Sequence, residues 1–269
     1  MEPQEVVLFL DDAIRFANTD DLALMFPTTS FGKMNPPVAD MVFAQLTHPH
    51  APPGPMFFKC AYNNVTRIFT VKMPSTIYQV CAKWLFGQYF NWKRLDLPDS
   101  VDSLEPGVRL EIHLNSACRE FYFPYEHAIK QPDGMIKFNT ARFPSIVIEV
   151  GWNEGWESLH KCRDLWMYGS QGSVRVIILI NFAETRRDVK GVLEVTSVRD
   201  GTLVAQRATI WPTPTEKEKK IFILLEELYG SYLPKDFDPK LRLELDVSDL
   251  RVRAKTQLEQ ISPGLIPMV

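Results

Sequence analysis

Apolar residues along the chain recur at two spacings, and the changes from one to the other mark out its elements. Between Glu5 and Ala17 the residues Val6, Leu8, Phe9, Leu10, Ile14 and Phe16 suit a short amphipathic helix, closed by the turn-prone Asn18-Thr19-Asp20-Asp21. A loop-rich section follows. It ends in His48-Pro49-His50-Ala51-Pro52-Pro53-Gly54-Pro55, where prolines remove amide donors and restrict their neighbours. A soft boundary falls there, so residues 1–55 read as a helical and proline-rich extension, 56–260 as the main domain and 261–269 as a tail. The tail past Ser262 is expected to be extended.

Within the main domain Val65 to Met73 reads as a strand. Ser75 then opens a helix whose apolar positions Ile77, Val80, Cys81, Trp84, Leu85 and Phe86 recur at helical spacing. Arg109 to Leu114 and Glu120 to Phe123 read as two strands of a hairpin or meander. Val189 to Val198 and Thr202 to Ile210 flank Asp200-Gly201, a hairpin signal because Gly takes the positive φ of a tight turn. Ile221 to Leu225 and Leu241 to Val247 are further strand candidates, with irregular backbone expected from Glu226 to Pro239.

The centre of the chain is the most informative. Pro132-Asp133-Gly134 precedes the short run Met135 to Phe138, and Pro144-Ser145 precedes Ile146-Val147-Ile148-Glu149-Val150. That second run is apolar on both faces until Glu149, the pattern of a central buried strand carrying one carboxylate. A buried carboxylate needs a cation, a metal or hydrogen-bond donors. Trp156 to Tyr168 continues as a helix, broken by Gly169 to Gly172, and Val174 to Ile180 is an aliphatic strand. A helix-length crossover between two strands predicts that they lie parallel. The expected class is therefore α/β (α+β): a mixed sheet flanked by helices.

Composition narrows the setting. Of 269 residues 45% are hydrophobic, enough for a sizeable core. Thirty basic residues face 33 acidic ones, and the net charge of -3 supplies no global footprint for a polyanion. Cys60, Cys81, Cys118 and Cys162 lack the paired spacing of a zinc or redox site and read as reduced thiols of an intracellular protein. The acidic start Met-Glu-Pro-Gln-Glu argues against a secretory signal, and no apolar run approaches a bilayer span of about 20 residues. A cytosolic or nuclear protein without a membrane partner is expected. Neither a Gly-x-Ser-x-Gly elbow nor a Cys/His pairing for nucleophilic catalysis is present.

The order Pro-Asp, then Pro-x-aliphatic-aliphatic-aliphatic-Glu-Val, then helix and aliphatic strand, resembles the PD-(D/E)XK, restriction-endonuclease-like nuclease superfamily. It looks closest to a divergent variant common in fungal proteins and in a large bacterial family. The resemblance covers Gln131 to Phe182, roughly a fifth of the chain. It implies a divalent-metal-dependent nuclease of DNA or RNA. Asp133 and Glu149 would be catalytic and would bind Mg2+ or Mn2+ through oxygen ligands. Where the family carries Lys, position 151 is Gly; Lys161 on the following helix is the candidate substitute, with His160 and Arg163 as alternatives. A catalytically inactive member kept as a protein- or nucleic-acid-binding module is the other reading.

Overall fold

A computed structural model describes residues 28–47, 59–72, 75–95, 97, 107–114, 116–185, 188–216 and 219–261. The proposed helix over Glu5 to Ala17, the proline-rich boundary and the tail lie outside them. In chain order the main elements are β1 (Thr28–Phe31), α1 (Pro36–Thr47), β2 (Lys59–Asn63), β3 (Ile68–Lys72), α2 (Thr76–Trp92), β4 (Leu110–His113), β5 (Ile129–Lys130), β6 (Gly134–Phe138) and β7 (Ile146–Trp152). There follow α3 (Trp156–Gly169), β8 (Val176–Glu184), β9 (Val189–Arg199), β10 (Thr202–Trp211), β11 (Ile221–Leu224), α4 (Leu225–Tyr229), β12 (Arg242–Leu245) and α5 (Val247–Ile261). The fold is mixed α+β, with mixed and antiparallel sheets flanked by helices.

The contacts divide the chain into two units, Met1–Thr76 with Asn115–Pro132, and Ile77–Leu114 with Asp133–Val269. In the first unit the strands run in the order β1-β3-β2-β5, every pair antiparallel. Ala39, Val42 and Phe43 of α1 share an apolar cluster with Cys60, Tyr62, Phe69, Val71 and Ile129 of this sheet. Burial pushes the Cys60 thiol up to about 12, so it stays protonated and packs as a small hydrophobe.

The second unit holds a six-stranded sheet in the order β10-β9-β8-β7-β6-β4. β7 and β8 are parallel, joined by α3; the other neighbours are antiparallel. All seven residues of β7 are buried, as a strand covered on both faces must be. On one face Gly134 admits α2: a Cβ there would lie 3.2–3.3 Å from Phe86, Ala82 and Ile148. α2 is tied at its other side by the Trp84 and Trp92 indoles, which donate to Asp246 O and Glu244 O at 2.8 Å. β11 and β12 form a separate antiparallel pair.

Several expectations shift. The strand proposed from Val65 instead turns at residues 64–67, where Asn63 Oδ1 accepts the Val65 and Thr66 amides and Arg67 has φ 57; the strand begins at Ile68. Glu120 to Phe123 is not a strand, since Glu120 has φ 57, and β4 pairs with β6 rather than with that segment. The proposed strand over Leu241 to Val247 ends at Leu245. Asp246 Oδ1 then accepts the Asp249 amide and opens α5, a helix the apolar pattern had not announced. α1, likewise, lies where loop was expected.

Candidate functional site

The sheet register brings the carboxylates together. Gly134, the first residue of β6, pairs with Ile148, and just before the strand the Asp133 amide donates to Ile148 O at 3.1 Å, which sets Asp133 at the β7 backbone next to Glu149. Glu149 pairs with Leu179, Leu179 with Glu194, and Glu194 with Arg207. Directly paired residues project from the same face. Glu149, Leu179, Glu194 and Arg207 thus form one row across four strands, on the face covered by α3, with Asp133 at the β7 edge of that row.

Two buried carboxylates at the left of this row are met by protein donors. Asp133, 1% exposed, accepts the Val150 amide on Oδ2 at 2.7 Å, so a side chain extends the β6–β7 ladder past the start of β6. Glu149, 3% exposed, accepts the Trp166 indole N–H of α3 on Oε1 at 2.8 Å. Cys81 of α2 feels this charge: burial first and the Asp133 carboxylate second hold its thiol well above the usual range.

At the right of the row Glu194, 1% exposed, is met by cations. Arg207 Nε donates to its Oε2 at 2.7 Å, His160 Nε2 lies 3.1 Å from Oε1, Thr196 donates to Oε1 at 3.2 Å, and Arg163 approaches to 3.9 Å. Trp156 covers the group, its ring 5.6 Å from the His160 ring and 5.3 Å below the Arg207 guanidinium.

Of the three residues weighed as substitutes for the family lysine, Lys161 donates to Glu157 Oε1 at 2.7 Å one helical turn away, with 61% of its side chain exposed. The structure places it in an i,i+4 pair on the solvated face of α3, because helical spacing turns residue 161 away from the sheet that Trp166 faces. His160 engages Glu194, and Arg163 engages Asp164 at 2.8 Å and Glu194.

Position 151 has its own physical reason to be Gly. A Cβ there would lie 2.9 Å from Asn181 Oδ1 and 3.0 Å from Glu154 Cβ, so those side chains would have to shift to admit one. Asn181 is fixed by its amide, which donates to Glu154 O at 2.7 Å, and Ser158 holds Glu154 Oε1 at 2.7 Å. A lysine stem at this corner would have to displace the Asn181 and Glu154 side chains.

With one oxygen of Asp133 and one of Glu149 committed to protein donors, the pair is a poorer cage for a hard ion than two solvated carboxylates. Among the described residues no group of three or more His, Cys, Asp or Glu is gathered to hold a metal ion, and no helix among them is long and apolar enough to cross a membrane. Glu194, Arg207, Trp166 and Asn181 were not singled out in the sequence. Glu194 had a signal, a carboxylate between Leu193 and Val195 in the middle of an apolar strand. Comparison with family models, with curated proteins and with solved structures found no match.

Proposed function

We propose that the second unit is a restriction-endonuclease-like domain of PD-(D/E)XK type whose carboxylates have been turned to structural use. On this reading the protein is a catalytically degenerate module that binds a protein or nucleic-acid partner. The observation that carries the reading is the commitment of Asp133 to the Val150 amide and of Glu149 to the Trp166 indole, beside a Gly151 corner where a Cβ would crowd Asn181 and Glu154. The kinship is supported by the run β6, β7, α3, β8, in which β6 is antiparallel to β7 and β7 parallel to β8. That run follows the strand, strand, helix, strand order that the sequence resemblance implies.

A second reading, an active Mg2+- or Mn2+-dependent nuclease of DNA or RNA, is favoured by one feature, the attachment of Asp133 to the β7 backbone on either side of Glu149, at Ile148 O and the Val150 amide. Incubation of the full chain with plasmid, single-stranded DNA and RNA in millimolar Mg2+ or Mn2+ separates the two. The degenerate reading expects intact nucleic acid in every case. Cleavage by the wild type that Glu149→Gln abolishes would replace it with the active one.

A further inference from the structure

At the opposite end of β8 from Gly151 lies a cavity of about 710 Å³, walled by Met167 and Val174 and by the β9–β10 hairpin at Val198. Its size falls within the ~300–1,000 Å³ range of small-molecule sites. Three bases and three acids line it, and most are matched. Arg199 Nε donates to Glu227 Oε1 at 2.8 Å, its NH2 reaches Oε2 at 3.3 Å, and Lys240 Nζ donates to Glu226 Oε1 at 2.7 Å. The Lys240 amine is held above its usual range by Glu226 foremost, with Asp200 adding to the effect.

Among the bases Arg175 is the exception. Its backbone amide is anchored to Ser145 O at 2.9 Å at the entry to β8. Its guanidinium lies flat against Gly230, where a Cβ would be 2.0 Å from Cζ and 2.1 and 2.3 Å from the two terminal nitrogens. Gly230 also has φ 58, so it is the one residue type that serves both the turn and the arginine. Among the described residues no carboxylate, carbonyl or hydroxyl lies within hydrogen-bond reach of that guanidinium. Burial draws its pKa below the usual arginine range, with Tyr232 opposing the shift. A half-buried fork of N–H donors with no acceptor is a costly arrangement that an oxyanion relieves.

We propose that this cavity binds a small organic carboxylate, with Arg175 as a bidentate fork for the carboxyl group and Met167, Val174 and Val198 packing on an apolar body. The site goes beyond the degenerate-module reading and does not depend on it. Because Arg199 and Lys240 are already paired, Arg175 alone sets the charge of the ligand. A single negative charge is matched by Arg175, whereas a phosphate dianion would bring a second charge towards Asp200, Glu226 and Glu227 without a further cation to meet it.

The test is thermal melting of the full chain against rising benzoate, with phenyl phosphate and the neutral isostere benzamide in parallel. Benzoate should raise the melting temperature along a saturable curve. Phenyl phosphate should act at least tenfold more weakly, and benzamide should not act. Arg175→Met should remove the benzoate response. Arg175→Lys, which keeps the charge but loses the fork, should weaken it at least tenfold and stands in if the Met variant does not fold. A wild type that ignores benzoate, responds equally to benzamide, or keeps its full response in Arg175→Lys overturns the proposal. A stronger response to phenyl phosphate than to benzoate overturns the choice of carboxylate.

Discussion

Glu149 and Glu194 are two carboxylates in the same row of one sheet, separated by the single paired residue Leu179 and roofed by the same helix. The groups that α3 offers them differ. Glu194 is gripped by Arg207, His160 and Thr196, whereas the α3 donor to Glu149 is a neutral indole. The difference follows from position in α3. Its first turns present Trp156, His160 and Arg163 towards the β9–β10 side, while Trp166, 0% exposed, lies deep over β7. The residues a nuclease would need as cationic helpers are present on this helix, but those facing the sheet serve Glu194, and Lys161 faces water. One face of the sheet thus carries two carboxylates that the same helix meets with different groups, His160 and Arg163 at Glu194 and the Trp166 indole at Glu149.

That contrast can be broken from the indole side. Trp166→Phe removes the donor to Glu149 and leaves buried space, and it should cost about 2–3 kcal/mol, combining a lost donor to a buried acceptor with an imperfectly filled site. Denaturant unfolding measures it. A cost under about 0.5 kcal/mol would show that the Trp166 contact contributes little to holding the carboxylate.

The paired substitutions sharpen the comparison further. Glu194→Gln should cost about 2 kcal/mol, because its hydrogen bonds to Arg207 and His160 lose charge assistance. Glu149→Gln should cost less than about 1 kcal/mol, since an amide oxygen still accepts from the neutral Trp166 indole. Equal costs in the same unfolding assay would mean that charge matters as much at Glu149 as at Glu194. The smallest expected effect is at Lys161. Lys161→Met should shift stability by no more than about 0.5 kcal/mol, the worth of an exposed i,i+4 pair.

Much of this sheet was legible in the sequence because its signals are local. The Ile146 run, the Trp156 helix and the Asp200-Gly201 hairpin each carry their period or turn within a dozen residues, and each lies within a residue or two of where it was placed. What was illegible depended on distant partners. Glu120 to Phe123 has strand-like residues but no strand to pair with, and β4 instead finds β6 across the intervening segment. α5 begins where Asp246 caps it and packs beside β10, with Arg251 donating to Thr209 O at 2.6 Å. At the candidate site Asp133 and Glu149 could be named from their motifs, but the direction of each α3 side chain could not. Whether residue 160, 161 or 163 faces the sheet depends on a rotation of the helix that short motifs do not encode. The crowded corner at Gly151 was equally hidden, since Asn181 and Glu154 reach it from a neighbouring strand and a turn.

The most direct test of the structural role assigned to Asp133 and Glu149 is the melting temperature of the full chain with and without millimolar Mn2+, measured for the wild type and for Glu149→Gln. A site bound by metal in the native state alone is stabilised by mass action, by about 2.7 kcal/mol at a hundredfold excess over the dissociation constant. With the carboxylates already held by the Val150 amide and the Trp166 indole, Mn2+ is expected to leave both melting curves where they are. A dose-dependent rise in the wild type that vanishes in Glu149→Gln would contradict the account and return the row to a metal centre.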